Sequence, residues 1–320
     1  MAILRRILVL IPLTWLIVTL AFFLVRVAPG GPFDKERKSS SPQVEAAIKR
    51  KYHLDESLGS QYLRFLGLKW ERTENGTLQR AEGGLIAGDF GLSLKYRNHS
   101  VSDIILQGLP VSLILGWLAF GFALGIGVPL GVFGAVRARG WVGGASAIVA
   151  IAMVCVPGFV IGPALVLVAG LKLGWFPVGL WGGPMHAVLP MVTLGLYFSG
   201  RVARLAREGM MQALQSEFIR TARAKGVSEF SVVVRHAFRL AIMPVVSYSG
   251  PMLADLLTGS FVVENIFQIP GIGVFLVNAS LSRDYPMVVG LVLLYAVLLL
   301  VLNLIVDLAY GVLDPRVSHE

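Results

Sequence analysis

Residues 104–136 read IILQGLPVSLILGWLAFGFALGIGVPLGVFGAV, a stretch with no Asp, Glu, Lys or Arg. An α-helix rises 1.5 Å per residue, so crossing a hydrocarbon layer ~30 Å thick takes about 20 mostly apolar residues, and this run exceeds that. Residues 7–25, 141–171 and 285–306 meet the same test. Two weaker candidates stand between them. Residues 181–203 stay uncharged only as far as Gly200, so that span reaches the surface if Arg201 and Arg204 snorkel to the headgroups. Residues 240–263 are long enough only if Asp255 lies inside the span. The count is six.

Composition agrees with that reading. The chain has 320 residues, 55% hydrophobic and only 15% charged, and a mean hydropathy of +0.73; such a chain is soluble in lipid and not in water. The net charge of +9 by itself would suit nucleic acid, but the cations are not spread along the chain. With the N-terminus inside, thirteen of them fall in inner segments, eight between Arg201 and Arg239, while the short outer loops carry Lys172 and Arg283 alone. That is the positive-inside asymmetry, so both ends are expected in the cytoplasm and no nucleic-acid partner is expected. Arg5 and Arg6 before the first run resemble a signal peptide, yet the run is too long for an h-region and no A-x-A-like site follows, so a retained helix is expected.

The expected organisation is a first transmembrane helix in residues 1–30, an extracytoplasmic segment at 31–103, a core of five helices at 104–312, and a cytoplasmic tail at 313–320. In the outer segment, Ser41-Pro42 and residues 57–70 carry helix signals, which predicts a small helical cap. Asn75-Gly76-Thr77 and Asn98-His99-Ser100 match the glycosylation pattern and are read as turns. The single cysteine, Cys155, excludes a disulfide framework and is read as filler at a helix interface, and the five dispersed histidines exclude a paired metal site on one helix face. No phosphate-binding G-x-x-x-x-G-K-[ST] and no nucleophile-base constellation is present. No cofactor and no catalytic residue are expected, and energy has to come from another subunit.

Five elements stand out. Gly121-x-x-x-Gly125 and Gly127-x-x-x-Gly131 let a neighbouring backbone approach, either as permanent packing, the preferred reading, or as a sliding surface. Within the inner loop 205–239, Ser216 caps a helix from Glu217 that stops at Gly226, and a second helix runs from Ser228 to Phe238. Phe218, Ile219 and Phe238 among the cations of this loop suit docking onto a protein groove, while the cations alone also suit anionic headgroups. Asp255 is costly in hydrocarbon, so it either lines a solute pathway, meeting a cationic group of the solute, or is a hydrogen-bonded structural residue. Glu264 is expected at the outer mouth, in water, as a gate or contact residue or as a solvated helix end. Asn303 and Asp307 share a face of the sixth span, for capping and interhelical bonds.

The run Glu217-Phe-Ile-Arg-Thr-Ala-Arg-Ala-Lys-Gly226, continued by Arg235-His-Ala-Phe-Arg239 and Pro244, resembles the cytoplasmic loop of ABC importer permeases of the dipeptide, oligopeptide and nickel branch. Arg220-Thr221-Ala222 replaces the broader family's Glu-Ala-Ala, as is usual in the peptide branch, and Arg239 stands where that pattern has proline. Further segments resemble the same branch: Arg26-Val-Ala-Pro-Gly-Gly-Pro32, Gly88-Asp-Phe-Gly-Leu-Ser93, Val263-Glu-Asn-Ile-Phe-Gln-Ile-Pro-Gly-Ile-Gly273, Arg283-Asp-Tyr-Pro286, and Asp307 to Arg316. Lys51-Tyr-His-Leu54 and Lys95-Tyr-Arg97 are most similar to the B-type oligopeptide subunit. The resemblance implies an all-α type I permease fold and transport of peptides. It implies that Glu217, Phe218, Ile219, Arg220, Thr221, Ala222, Arg223, Ala224, Lys225 and Gly226 couple to an ATPase. The implied partners are a paralogous second permease, two ATP-binding subunits and an extracytoplasmic peptide-binding protein, in the lipid bilayer of a bacterial inner membrane.

Overall fold

The structure is a computed structural model that describes residues 2–27, 50–72, 78–81, 83–96, 98–257 and 261–313. Ser41-Pro42, the turn at 75–77, the side chain of Asp307 and the tail from 314 lie outside those residues. The described chain is almost wholly helical, and it divides into two units: Met1–Pro110 with Ile272–Val297, and Val111–Gly271 with Leu298–Glu320.

The first unit begins with α1 (Ala2–Val27), whose Leu16, Leu20 and Leu24 are exposed as a lipid-facing helix requires. Its one deeply buried ring, Phe22, packs on Tyr62 and Phe65 of α2 (Leu58–Leu66), with ring centroids 5.1 and 5.4 Å away. Ser57 caps α2 by accepting from the Ser60 amide, and Gly67, at φ 76°, ends it in the left-handed conformation that other residues resist. A short antiparallel ribbon follows, β1 (Trp70–Arg72) on β2 (Leu78–Arg80), with Trp70 opposite Arg80. The segment expected from its sequence to be a helical cap is therefore not purely helical. A core of Val101, Ile104, Ile105, Ile272, Ala279, Met287 and Leu291 joins the first turns of α3 (Val101–Val136) to α11 (Ile272–Ser282) and α12 (Tyr285–Leu313).

In the second unit α3 continues, followed by α4 (Trp141–Cys155), α5 (Gly158–Lys172), α6 (Pro184–Leu214), α7 (Glu217–Ala224), α8 (Glu229–Ala241), α9 (Met243–Leu257) and α10 (Phe261–Ile266). Its core is built by Leu115, Ala119 and Ala123 of α3, Leu194, Phe198 and Val202 of α6, and Met252 and Leu256 of α9. Small residues allow the helices to meet: a Cβ on Gly127 would lie 2.6 Å from the Ser199 carbonyl, and one on Gly200 would lie 2.5 Å from that of Ala150. Gly121 and Gly125, by contrast, face open space.

Among the described residues three helices, α1, α3 and α12, are long and apolar enough to cross a membrane singly. The run at 141–171, expected as one span, is broken: α4 and α5 meet at 97° because Val156 and Pro157 are both extended. Residue preferences explain the break, since proline pushes the residue before it out of the helical region. The fifth span, expected at 240–263, starts where α8 meets α9 at a 50° bend and continues in α9 and α10. The fourth, α6, is continuous well past Ala203. By length and apolarity the described residues thus supply three spans, or five with each bent pair taken as one, and α6, which is not among these, is the sixth expected. Cys155 ends α4 exposed, not at an interface within the chain.

Candidate functional site

The loop singled out in the sequence folds as two short helices. Ser216 has the extended backbone of a cap at the start of α7, although its hydroxyl donates back to the Ala213 carbonyl at 2.6 Å. Gly226 stops the chain at φ 77°. Ile219 is fully buried and Ala222 nearly so, against Ala135, Met210, Ala213, Val232, Ala237 and Ala241. Phe238 packs on the same cluster. Of the three apolar knobs expected to face a partner, two therefore anchor the hinge to its own chain. Amphipathicity is the reason: in a helix of two turns, Ile219 and Ala222 share the face that the packed helices α6 and α8 must cover.

The opposite face is exposed: Glu217, Phe218, Arg220, Thr221, Arg223, Ala224, Lys225 and Gly226. Arg223 donates to both carboxylate oxygens of Glu229 at 2.7 and 3.2 Å, tying α7 to the first turn of α8, and Arg220 donates to Glu217 at 2.9 Å. The bond from Arg223, ahead of the opposing effect of burial, holds the Glu229 carboxyl below its usual range. Beside this fork Phe230 is 78% exposed. The sequence reading passed over it, though an aromatic ring at the second position of a capped helix was a visible signal. A π-helical stretch at Val232–Ala237 follows, where His236 Nδ1 meets the Ser231 carbonyl at 3.0 Å.

The two acids singled out lie in opposite settings. Asp255, on α9, is exposed at the surface of the isolated chain, and the charge of Arg201 on α6 acts on it. Arg201 donates to the Tyr248 hydroxyl at 3.3 Å and lies 4.8 Å from the centroid of the Tyr197 ring. Arg201 thus joins a polar group on the membrane helices and does not simply reach for headgroups. Tyr197 and Arg201 share one face of α6, and Tyr248 and Asp255 one face of α9, four and seven residues apart. That spacing was legible; which helix faces which was not.

Glu264, expected in water, is fully buried. It accepts a hydrogen bond from Ser112 Oγ at 2.9 Å, and the chain after α10 folds back over it, with the Ile269 amide donating to the Glu264 carbonyl at 2.8 Å. Gly271 lies against its carboxylate, where a Cβ has no room. A buried carboxylate is tolerable only with such partners.

In the first unit, two of the quoted segments meet. Asp284 of Arg283-Asp-Tyr-Pro286 is fully buried and caps α12 by accepting from the Met287 amide at 3.3 Å. It also accepts from the Ser93 hydroxyl and from the amides of Leu94 and Lys95 at 3.1 and 3.3 Å, at the end of Gly88-Asp-Phe-Gly-Leu-Ser93. Its place in the fold explains why both segments carry their polar residues.

The family profile described as binding-protein-dependent transport system inner membrane component matches residues 127–319. The oligopeptide transport system permease protein OppB of Haemophilus influenzae is 39% identical over 317 residues, 98% of each chain. OppB of Escherichia coli K12 is 40% identical over 322 residues, 99% of each chain. The dipeptide transport system permease protein DppB of Bacillus subtilis is 39% identical over 302 residues, 94% of this chain and 92% of that one. Among solved structures, the inward-facing MetNI methionine ABC transporter aligns with a TM-score of 0.54 at 16% identity, over 66% of this chain and 96% of the other. An amino acid ABC transporter gives 0.51 at 18%, over 65% and 93%. At such identities these two show a shared fold. The chain belongs to the family of binding-protein-dependent transport system inner membrane components.

Proposed function

We propose that this chain is one permease half of an ATP-driven importer for peptides, oligopeptides first. The observation that carries this is similarity over almost the whole chain, at 39–40% identity, to oligopeptide permease proteins. A dipeptide permease is similar at the same level, so the length of the cargo is set by details within one function. The chain lies in the bacterial inner membrane with both ends in the cytoplasm, as its cation asymmetry favours. A second, paralogous permease completes the pathway, two ATP-binding subunits supply the hydrolysis, and an extracytoplasmic protein delivers the peptide.

The exposed face of α7, Glu217 to Gly226, with Phe218 projecting, seats in a groove of an ATP-binding subunit, and buried Ile219 and Ala222 pass its motion to α6 and α8. Asp255 and Arg201 line the pathway. Exposed charges at mid-helix do not face lipid, so the surface they occupy belongs to water or to the second permease. A carboxylate and a guanidinium side by side offer an acceptor and a donor to any peptide group, which suits cargo of varied sequence. Glu264, locked by Ser112 and Gly271, braces the segment after α10 as part of a gate.

Peptide uptake in cells lacking the chain, restored by the intact gene, tests this with peptides of graded length. Loss of uptake for peptides but not for single amino acids is the expected result; unchanged peptide uptake would overturn the reading. Asp255→Asn is expected to slow free peptides more than amino-terminally acetylated ones, and equal transport of both at the normal rate removes Asp255 from the pathway.

A further inference from the structure

The first unit contains a cavity of about 290 Å³ that the transport reading does not use. Arg26, half-buried near the end of α1, lines it. Its guanidinium lies 3.5 Å from the centroid of the Phe22 ring, and it donates to Gln61 Oε1 at 3.2 Å and to the Phe22 carbonyl at 3.3 Å. These are neutral acceptors, and no carboxylate pairs with it among the described residues. A guanidinium removed from water without a counter-ion is costly. Arg64 lines the same cavity, and its buried Nε has no hydrogen-bond acceptor although its other end is tied to Glu56 and Glu71. Lys51 stands exposed at the rim. Among the described lining residues the one carboxylate is Asp89, whose Oδ1 already accepts from the Gly91 amide at 2.9 Å.

We propose that this cavity binds the phosphate headgroup of a membrane phospholipid, with Arg26 as the anion-binding residue and Arg64 and Lys51 beside it. The unmatched donors call for one anion. Position selects a lipid: Arg26 is the penultimate residue of α1, whose Leu24 and Val27 are exposed apolar side chains, and Tyr285, also lining, opens α12. Arginine and aromatic residues at helix ends mark headgroup depth. The apolar part of the lining, Phe22, Phe65, Pro286 and Val289, suits glycerol and the first acyl carbons. The inference rests on α1 and α12 spanning the bilayer and not on the identity of the cargo.

The test uses the full chain, purified in mild detergent and stripped of lipid, titrated with dihexanoyl phosphatidylglycerol, inorganic phosphate and trialanine, with bound lipid counted by native mass spectrometry. Saturable binding of a single short-chain lipid is expected, weakened about tenfold by Arg26→Gln, as loss of a charge-assisted contact implies, and less by Arg26→Lys. Lys51→Gln, at an exposed position that folding does not need, is expected to weaken it about twofold to threefold and so keeps the test open if Arg26→Gln does not fold. Lipid binding unchanged in all three variants, inorganic phosphate bound as tightly as lipid, preferential binding of trialanine, or no saturable lipid binding overturns the proposal. None of these outcomes alters the uptake assay, so the site and the transport function fail separately.

Discussion

At the scale of single residues, two identical motifs on one helix have opposite surroundings. A Cβ at Gly127 would meet the Ser199 carbonyl and Val202, and one at Gly131 would meet the carbonyl of Ala203, so this pair is the seam between α3 and α6. Gly121 and Gly125 meet nothing within 4 Å. Sequence alone leaves packing and gating open for both, because the spacing encodes a smooth face and not what lies on it. The structure assigns the first pair to packing. Gly131→Val is expected to destabilise the chain by about 1–3 kcal/mol, the usual range for overpacking, while Gly125→Ala leaves the fold unchanged. Thermal unfolding of each variant in the same detergent checks this; equal melting temperatures would remove the seam. If Gly125→Ala nonetheless lowers peptide uptake, its open face is where another subunit or a moving helix comes close.

At the scale of elements, the uncharged runs announce the spans because the bilayer imposes one length on any helix that crosses it. The breaks within them are less legible. Pro163, Pro190 and Pro251 lie inside helices, whereas Val156 and Pro157 turn the chain through 97°, so proline by itself does not decide where a span breaks. The segment around α2 forms a small cap that is held differently, by an ionic knot. Glu56 accepts from Ser60 at 2.8 Å, Arg64 at 2.8 Å and Lys69 at 2.6 Å, with His53 at 3.2 Å. Burial raises the Glu56 carboxyl, but the bonds from Lys69, Ser60 and Arg64 together outweigh it and bring it down to about 2 from 4.5. A carboxyl depressed on folding stabilises above its unfolded pKa and loses that contribution as pH falls toward the folded value. The cap is therefore expected to hold its full stability above pH 4.5 and to lose on the order of 1–2 kcal/mol by pH 2. Hydrogen exchange of the α2 amides, corrected for intrinsic rates, reads this directly, and Glu56→Gln should flatten the dependence. An unaltered pH profile in that variant would show that the knot does not hold the cap.

For the whole molecule, the proposed coupling role asks that a helix of eight residues, α7, be bound on both faces at once. Its existence was legible, since Ser216, Glu217 and Gly226 are start and stop signals that act locally. Which face turns inward was not, because an apolar residue in a short amphipathic helix serves a core or a partner equally well until the packed neighbours are known. Burial separates the two. Ile219 is fully buried, Phe218 is 41% exposed, and Phe230 stands out from the next helix. Ile219→Ala removes buried methyl groups and is expected to cost the chain about 2–5 kcal/mol, seen as poor expression and a lowered melting temperature. Phe230, 78% exposed, touches little of its own chain, so Phe230→Ala should shift stability by less than about 0.5 kcal/mol, and Phe218→Ala, which uncovers a partly packed ring, by about 1 kcal/mol. If the exposed face is the seat of an ATP-binding subunit, an aromatic anchor there contributes about 2 kcal/mol or more to assembly, a loss of roughly thirtyfold in affinity. Co-purification of ATP-binding subunits with each variant, followed by peptide-stimulated ATP hydrolysis, separates these effects. A Phe218→Ala, Phe230→Ala double variant that retains both its ATPases and its uptake would mean that the helix couples through its charges alone, with Arg220 and Lys225 as the next positions to test.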